Sequence, residues 1–198
     1  MVQSYEGMVK EDSDMTVWNR AFETLAEIVE YGRKKYGDFA PELFILDGST
    51  DFMFDLKIWL DDYMEFLEQE EEQEQLEKVC RKLLKLFAWE KASPSDIRFR
   101  LASSMLSLNK KKEAGDFCER WYGEDENDPV AAAALIYAWI ADRRYKDAQK
   151  VVDFWMDKEG GYTEENAEVF GAAAVLQNVF PGNGKDIQVQ YCSSCNKL

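Results

Sequence analysis

Histidine does not occur anywhere in this chain of 198 residues. Its absence removes the most frequent general base and the most frequent metal ligand of proteins. The sequence also shows no phosphate-binding glycine loop and no nucleophile beside an activating base. We therefore expect a protein that is not an enzyme.

Long apolar runs and excess positive charge are missing as well. No stretch approaches the roughly 18 apolar residues that a membrane helix needs, and residues 1–6 show no cationic, apolar leader. The net charge of −15 would repel the phosphates of a nucleic acid. We expect a cytoplasmic protein with neither a membrane nor a nucleic acid as partner.

Cysteine is scarce, with four residues that fall into two groups. Cys80 and Cys118 lie within apolar helical patterns and are expected to be small core residues. Cys192 and Cys195 are separated by two residues, a spacing that suits metal binding or a redox couple. A closed zinc site needs four ligands, and this pair supplies two. A zinc- or thiol-dependent protein that uses Cys192 and Cys195, with zinc as its cofactor, is thus an alternative function.

The most informative feature present is one apolar pattern that recurs every 34 residues, at positions 80, 114 and 148. Each copy has the spacing i, i+3, i+4, i+7, which places its residues on one face of an α-helix. The copies are Cys80-Leu83-Leu84-Phe87, Ala114-Phe117-Cys118-Trp121 and Ala148-Val151-Val152-Trp155. A fixed period of this length is typical of stacked helical units that cannot bury their apolar faces alone. An all-α fold is predicted.

Capping residues and breaks divide the chain into segments. Residues 1–11 are polar and predicted to be flexible, residues 12–180 to form a single helical domain, and residues 181–198 to form a tail that carries the cysteine pair. The acidic run at 68–75 is interpreted as a turn between two helices. Helices are expected to begin after residues 12–14, near 50, at 93–96, at 128–129 and at 163–165.

The period, the paired helices and segments such as Tyr145-Lys146-Asp147-Ala148 after a short turn resemble the tetratricopeptide repeat. The copies are degenerate, because Phe87, Trp121 and Trp155 stand where the family usually has a small residue. The resemblance covers about residues 50–180. It implies a solenoid of antiparallel helical pairs, about three pairs with an N-terminal helix and a C-terminal capping helix.

Members of this family bind a peptide or a helix in a groove lined by the first helix of each pair. The resemblance places Phe99, Ser103, Leu106, Tyr137 and Ile140 on that face, which we call the groove face. It carries no Lys–Asn pair for gripping a carboxylate, so an apolar or aromatic peptide is the expected partner. The sequence thus predicts a non-catalytic protein-interaction module. A self-associating structural subunit is the other alternative, and the oligomeric state stays open.

Overall fold

A computed structural model describes residues 14–49, 51, 55–159 and 162–181. Nine helices and no strand occur within these ranges, which confirms the predicted all-α class. The helices are α1 (Met15–Lys35), α2 (Phe44–Ser49), α3 (Leu56–Gln69), α4 (Gln73–Leu86), α5 (Ser95–Ser107), α6 (Lys111–Glu124), α7 (Pro129–Ala141), α8 (Tyr145–Glu159) and α9 (Ala167–Val179). The regular solenoid of helical pairs stays a prediction.

Acidic side chains begin several of these helices. Asp14 accepts a hydrogen bond from the Thr16 amide at 2.8 Å, and Asp128 accepts one from the Val130 amide at 2.9 Å just before α7. Such caps satisfy amide groups that have no partner within the helix. The predicted start of the last helix at Thr163 is wrong. The Thr163 amide donates to the Asn166 side chain at 2.7 Å, which closes a turn there, and α9 begins only at Ala167.

Contacts divide the chain into two compact units, Met1–Arg98 and Phe99–Leu198. In the first unit, α1 contacts α4, and α3 contacts both α2 and α4. Its core contains a stack of three fully buried rings, Trp18, Trp59 and Tyr63. The ring centroid of Trp18 lies 5.7 Å from that of Trp59 and 5.9 Å from that of Tyr63. Large rings therefore supply much of the burial in this unit.

In the second unit, α7 contacts α6, α8 and α9. Four consecutive alanines at 131–134 are buried, as are Leu135 and Ile136, so the helix is covered on every side along this stretch. A helix that is apolar all round belongs in a core. The methyl side chains let three neighbouring helices approach it closely.

The recurring apolar pattern marks buried positions, as predicted. Cys80, Ala114 and Ala148 are fully buried, and Phe87, Trp121 and Trp155 are 4%, 4% and 3% exposed. Bulky rings therefore end each copy inside the protein.

Three helices end in the same backbone turn. Glu71, Asn109 and Arg143 have positive φ angles of 58°, 59° and 60° after α3, α5 and α7. The next amide in each case donates to a carbonyl five residues earlier: Glu72 to Leu67 at 2.9 Å, Lys110 to Met105 at 2.8 Å, and Arg144 to Trp139 at 2.8 Å. This is the Schellman arrangement, which satisfies carbonyls at a helix end. Asn109 and Arg143 are 34 positions apart, so the sequence period recurs in the backbone.

We expect Arg143→Gly to raise the free energy of unfolding by about 0.5–1 kcal/mol, because glycine adopts a left-handed conformation without the steric cost that arginine meets. Urea denaturation of the full chain measures the change. Arg120→Gly is the matched control, since Arg120 is exposed within α6, and glycine there should cost about 1 kcal/mol. Equal losses in the two variants would contradict the turn assignment.

Candidate binding surface

The groove face lies in the second unit, and its residues are divided between two helices. Phe99, Ser103 and Leu106 lie on α5, and Tyr137 and Ile140 lie on α7. The rings of Phe99 and Tyr137 meet edge to face, with centroids 6.2 Å apart and planes at 79°. Ser103 is exposed, whereas the other four side chains are half-buried. The structure thus brings Phe99 and Tyr137 together and leaves part of each ring open to solvent.

The helix α9 also borders the groove face, although none of the predicted residues lies on it. A Cβ atom built on Gly171 would lie 3.7 Å from the Tyr137 hydroxyl oxygen, so the Tyr137 side chain reaches α9. Gly171 lies 34 positions after Tyr137, and Ser103 lies 34 positions before it. The period itself was therefore the signal that could have identified Gly171. A half-buried tyrosine thus occupies the middle of three equivalent repeat positions, and the other two carry serine and glycine.

Tyr137 stays uncharged at physiological pH. Burial raises the pKa of its hydroxyl above the ordinary value, because the apolar surroundings disfavour the phenolate. A neutral phenol can donate one hydrogen bond while its ring packs against an apolar group. Tyr137 therefore combines an apolar body with one polar group.

A polar network beside the face fixes α7 to its neighbours. The Trp139 indole N–H donates to Glu119 Oε1 at 2.9 Å, and the Arg144 guanidinium lies 4.7 Å from the centre of the Trp139 ring. Arg144 also forms ion pairs with Glu119 and with Asp147. The hydrogen bonds from Trp139 and then from Arg144 lower the pKa of the Glu119 carboxyl. These contacts tie α6, α7 and the start of α8 together, which holds Tyr137 and Ile140 in place.

The candidate metal ligands Cys192 and Cys195 lie outside the described residues. Within the part of the chain that the structure describes, no group of three or more Cys, Asp or Glu side chains is arranged to hold a metal ion. Cys118 is buried, and burial raises the pKa of its thiol to about 12. Such a thiol is a core residue and a poor nucleophile at neutral pH.

None of the described helices combines the length with the apolar character needed for crossing a bilayer. The apolar stretch of α7 is short, because this helix ends at Ala141 after 13 residues.

No protein-family model matches this chain. Neither a curated protein nor a solved structure matches it either.

Proposed function

We propose that the chain is a non-catalytic interaction module that holds an apolar peptide or helix against α5, α7 and α9. The observation that carries this proposal is the half-buried pair of Phe99 and Tyr137 with small residues at the flanking repeat positions. Tyrosine is among the residues that most often contribute a large share of the binding energy once a partner covers them. Ser103 is exposed and Gly171 carries only a hydrogen atom, so neither residue can cover the Tyr137 ring with a large group.

The chemistry of the face favours an apolar ligand over a charged one. None of its five residues carries a charge. The hydroxyl groups of Ser103 and Tyr137 are the only polar side-chain groups among these five residues. The neighbouring charges of Glu119, Arg144 and Asp147 are already paired with one another. A segment with aliphatic or aromatic side chains would therefore gain more from this face than an acidic or basic one.

The face also has the rigidity that a binding surface needs. The network of Glu119, Trp139 and Arg144 fixes α7, and the core beneath it contains closely packed alanines. A preorganised surface loses less side-chain freedom when a ligand binds. The tetratricopeptide resemblance points to the same face, although Phe99 and Tyr137 support it independently of that resemblance.

A peptide selection tests the proposal. A phage-displayed library of random peptides is selected on the full chain, and the affinity of an enriched peptide is then measured by fluorescence anisotropy. We expect enrichment of apolar and aromatic residues. Ser103→Arg should weaken binding about 30-fold, as for the loss of a central contact, because a long charged side chain would extend into the proposed apolar groove.

The matched control is Gln177→Arg, which introduces the same charge at an exposed position of α9. It should leave the affinity unchanged. Both substitutions lie at exposed positions, so circular dichroism should show the same fold for both variants. Enriched peptides that bind Ser103→Arg as tightly as the unaltered chain would refute the assignment of this face.

A further inference from the structure

A second concave site lies entirely within the first unit. It is a cleft of about 290 Å³ formed by α2, α3, the segment at 89–94 and the first residues of α5. Its walls are mostly apolar and include Leu43, Phe44, Leu60, Met64, Trp89 and Ile97. Ligand pockets commonly measure about 300–1,000 Å³, so this cleft suits one or two large side chains better than a bulky cofactor.

The charged residues around the cleft are mainly acidic. Asp47, Asp55, Asp61 and Asp96 line it together with one cation, Lys57. Four negative charges and one positive charge give a formal balance of −3 among these described lining residues. The Lys57 ammonium group forms an ion pair with the Asp61 carboxylate at 3.2 Å, so the positive charge of Lys57 already has a partner within the chain. The balance disfavours an anionic ligand and favours a cationic one.

The walls of the cleft are held by hydrogen bonds. The buried Asp47 carboxylate accepts a hydrogen bond from the Leu56 amide at 2.8 Å, which ties α2 to the start of α3. Trp89 has a positive φ of 57°, and its indole N–H donates to the Leu83 carbonyl at 3.2 Å. The aromatic wall is thus fixed in a backbone conformation that is costly for a bulky residue.

Apolar surface continues from the cleft along α2. Phe44, which lines the cleft, is 46% exposed, and its neighbour Ile45 is 40% exposed. The Lys91 ammonium group lies 5.9 Å from the centre of the Phe44 ring, so this ring already accepts a cation on its face. Lys91 brings one more positive charge near the cleft, which leaves the local balance at −2. This exposed apolar pair beside the cleft favours a ligand with more than one side chain.

We propose that this cleft binds a peptide segment in which a large apolar side chain is followed by Lys or Arg. The apolar side chain would enter between Leu60, Met64 and Trp89 and displace water from their surfaces. The adjacent cation would lie near Asp61 and Asp96. The proposal is independent of the groove face, because every residue that carries it belongs to the first unit.

Matched synthetic peptides test this site on the full, ¹⁵N-labelled chain. The basic probe is acetyl-Ser-Gly-Trp-Arg-Leu-Lys-Gly-Ser-amide, and the acidic probe carries Glu in place of Arg and Lys. We expect the basic peptide to shift the indole signal of Trp89 and the amide signal of Ile97, and the acidic peptide to bind about tenfold more weakly. Tryptamine, as a small apolar cation, should bind more weakly than the basic peptide.

Charge variants locate the effect. Asp61→Asn combined with Asp96→Asn should weaken binding of the basic peptide about five- to tenfold, because two rim charges are lost. Asp116→Asn combined with Asp142→Asn removes the same charge from exposed positions of the second unit and should change nothing. Ser103→Arg should also bind the basic peptide normally, which separates this site from the groove face.

Several outcomes would overturn the proposal. Equal affinities for the basic and acidic peptides would remove the role of the rim charges, as would an unchanged affinity in the Asp61→Asn, Asp96→Asn variant. Shifts that avoid Trp89 and Ile97 would place the peptide elsewhere. Tryptamine binding as tightly as the basic peptide would assign the cleft to a small amine instead.

Discussion

Trp59→Ala should lower the free energy of unfolding of the first unit by about 3–5 kcal/mol. Trp59 is fully buried, and its ring stacks against those of Trp18 and Tyr63, with centroids 5.7 Å and 5.8 Å away. Its indole nitrogen has no hydrogen-bond partner among the described residues, so the loss comes from packing. Alanine would leave a cavity that the surrounding rings cannot fill without leaving their stacked arrangement.

The neighbouring residue provides the control for this effect. Ile58 lies on the same helix and is 55% exposed, so Ile58→Ala should change the stability by no more than about 0.5 kcal/mol. Urea denaturation of the full chain, followed by circular dichroism, measures both variants. Similar losses for Trp59→Ala and Ile58→Ala would show that the ring stack does not organise this core.

Ala132→Asp should destabilise the second unit by about 3 kcal/mol or more. Ala132 is fully buried in α7, between helices that contact α7 on several sides. A carboxylate there would lose its hydration, and its immediate neighbours in α7 are apolar residues with no cation to pair with it. Protonation of the new side chain would relieve part of this cost, so the loss should be smaller at low pH.

Ala174→Asp makes the same change at an exposed position of the neighbouring helix α9. It should alter the stability by no more than about 0.5 kcal/mol. The two variants have the same composition and net charge, so a difference in their urea midpoints reports burial alone. If Ala132→Asp were as stable as Ala174→Asp, the central position of α7 would be wrong.

The local elements of the fold could largely be predicted from the sequence. The 3.6-residue periodicity identified buried faces, because an amphipathic helix buries residues that share one side. Asp128 and Pro129 predicted the start of α7, since each has a defined role at a helix N-terminus. None of the predicted helix starts corresponds to the short helix α2. Leu43 and Leu46 are buried, whereas Phe44 and Ile45 are exposed. Which of these four side chains is buried depends on the contacts of α2 with α3.

The candidate sites show where such reasoning ends. The contact between Phe99 and Tyr137 could be anticipated from the sequence, because both residues lie on the first helices of neighbouring repeat units. The pairing of Glu119 with Arg144 depends on the exit of the chain from α7, which periodicity does not specify. The cleft of the first unit combines residues from three separate segments of the chain, 43–47, 55–64 and 89–97. No local pattern indicates that these segments converge.

Among the described residues, each unit carries one buried cysteine, Cys80 in the first and Cys118 in the second. A thiol-reactive reagent can modify such a side chain only after the surrounding helices open, because reaction requires an accessible thiolate. Mass spectrometry that resolves modification at Cys80 from modification at Cys118 would therefore measure the opening rate of each unit in one sample. Cys80 and Cys118 can therefore serve as native probes of opening in the two units, and no engineered label is needed.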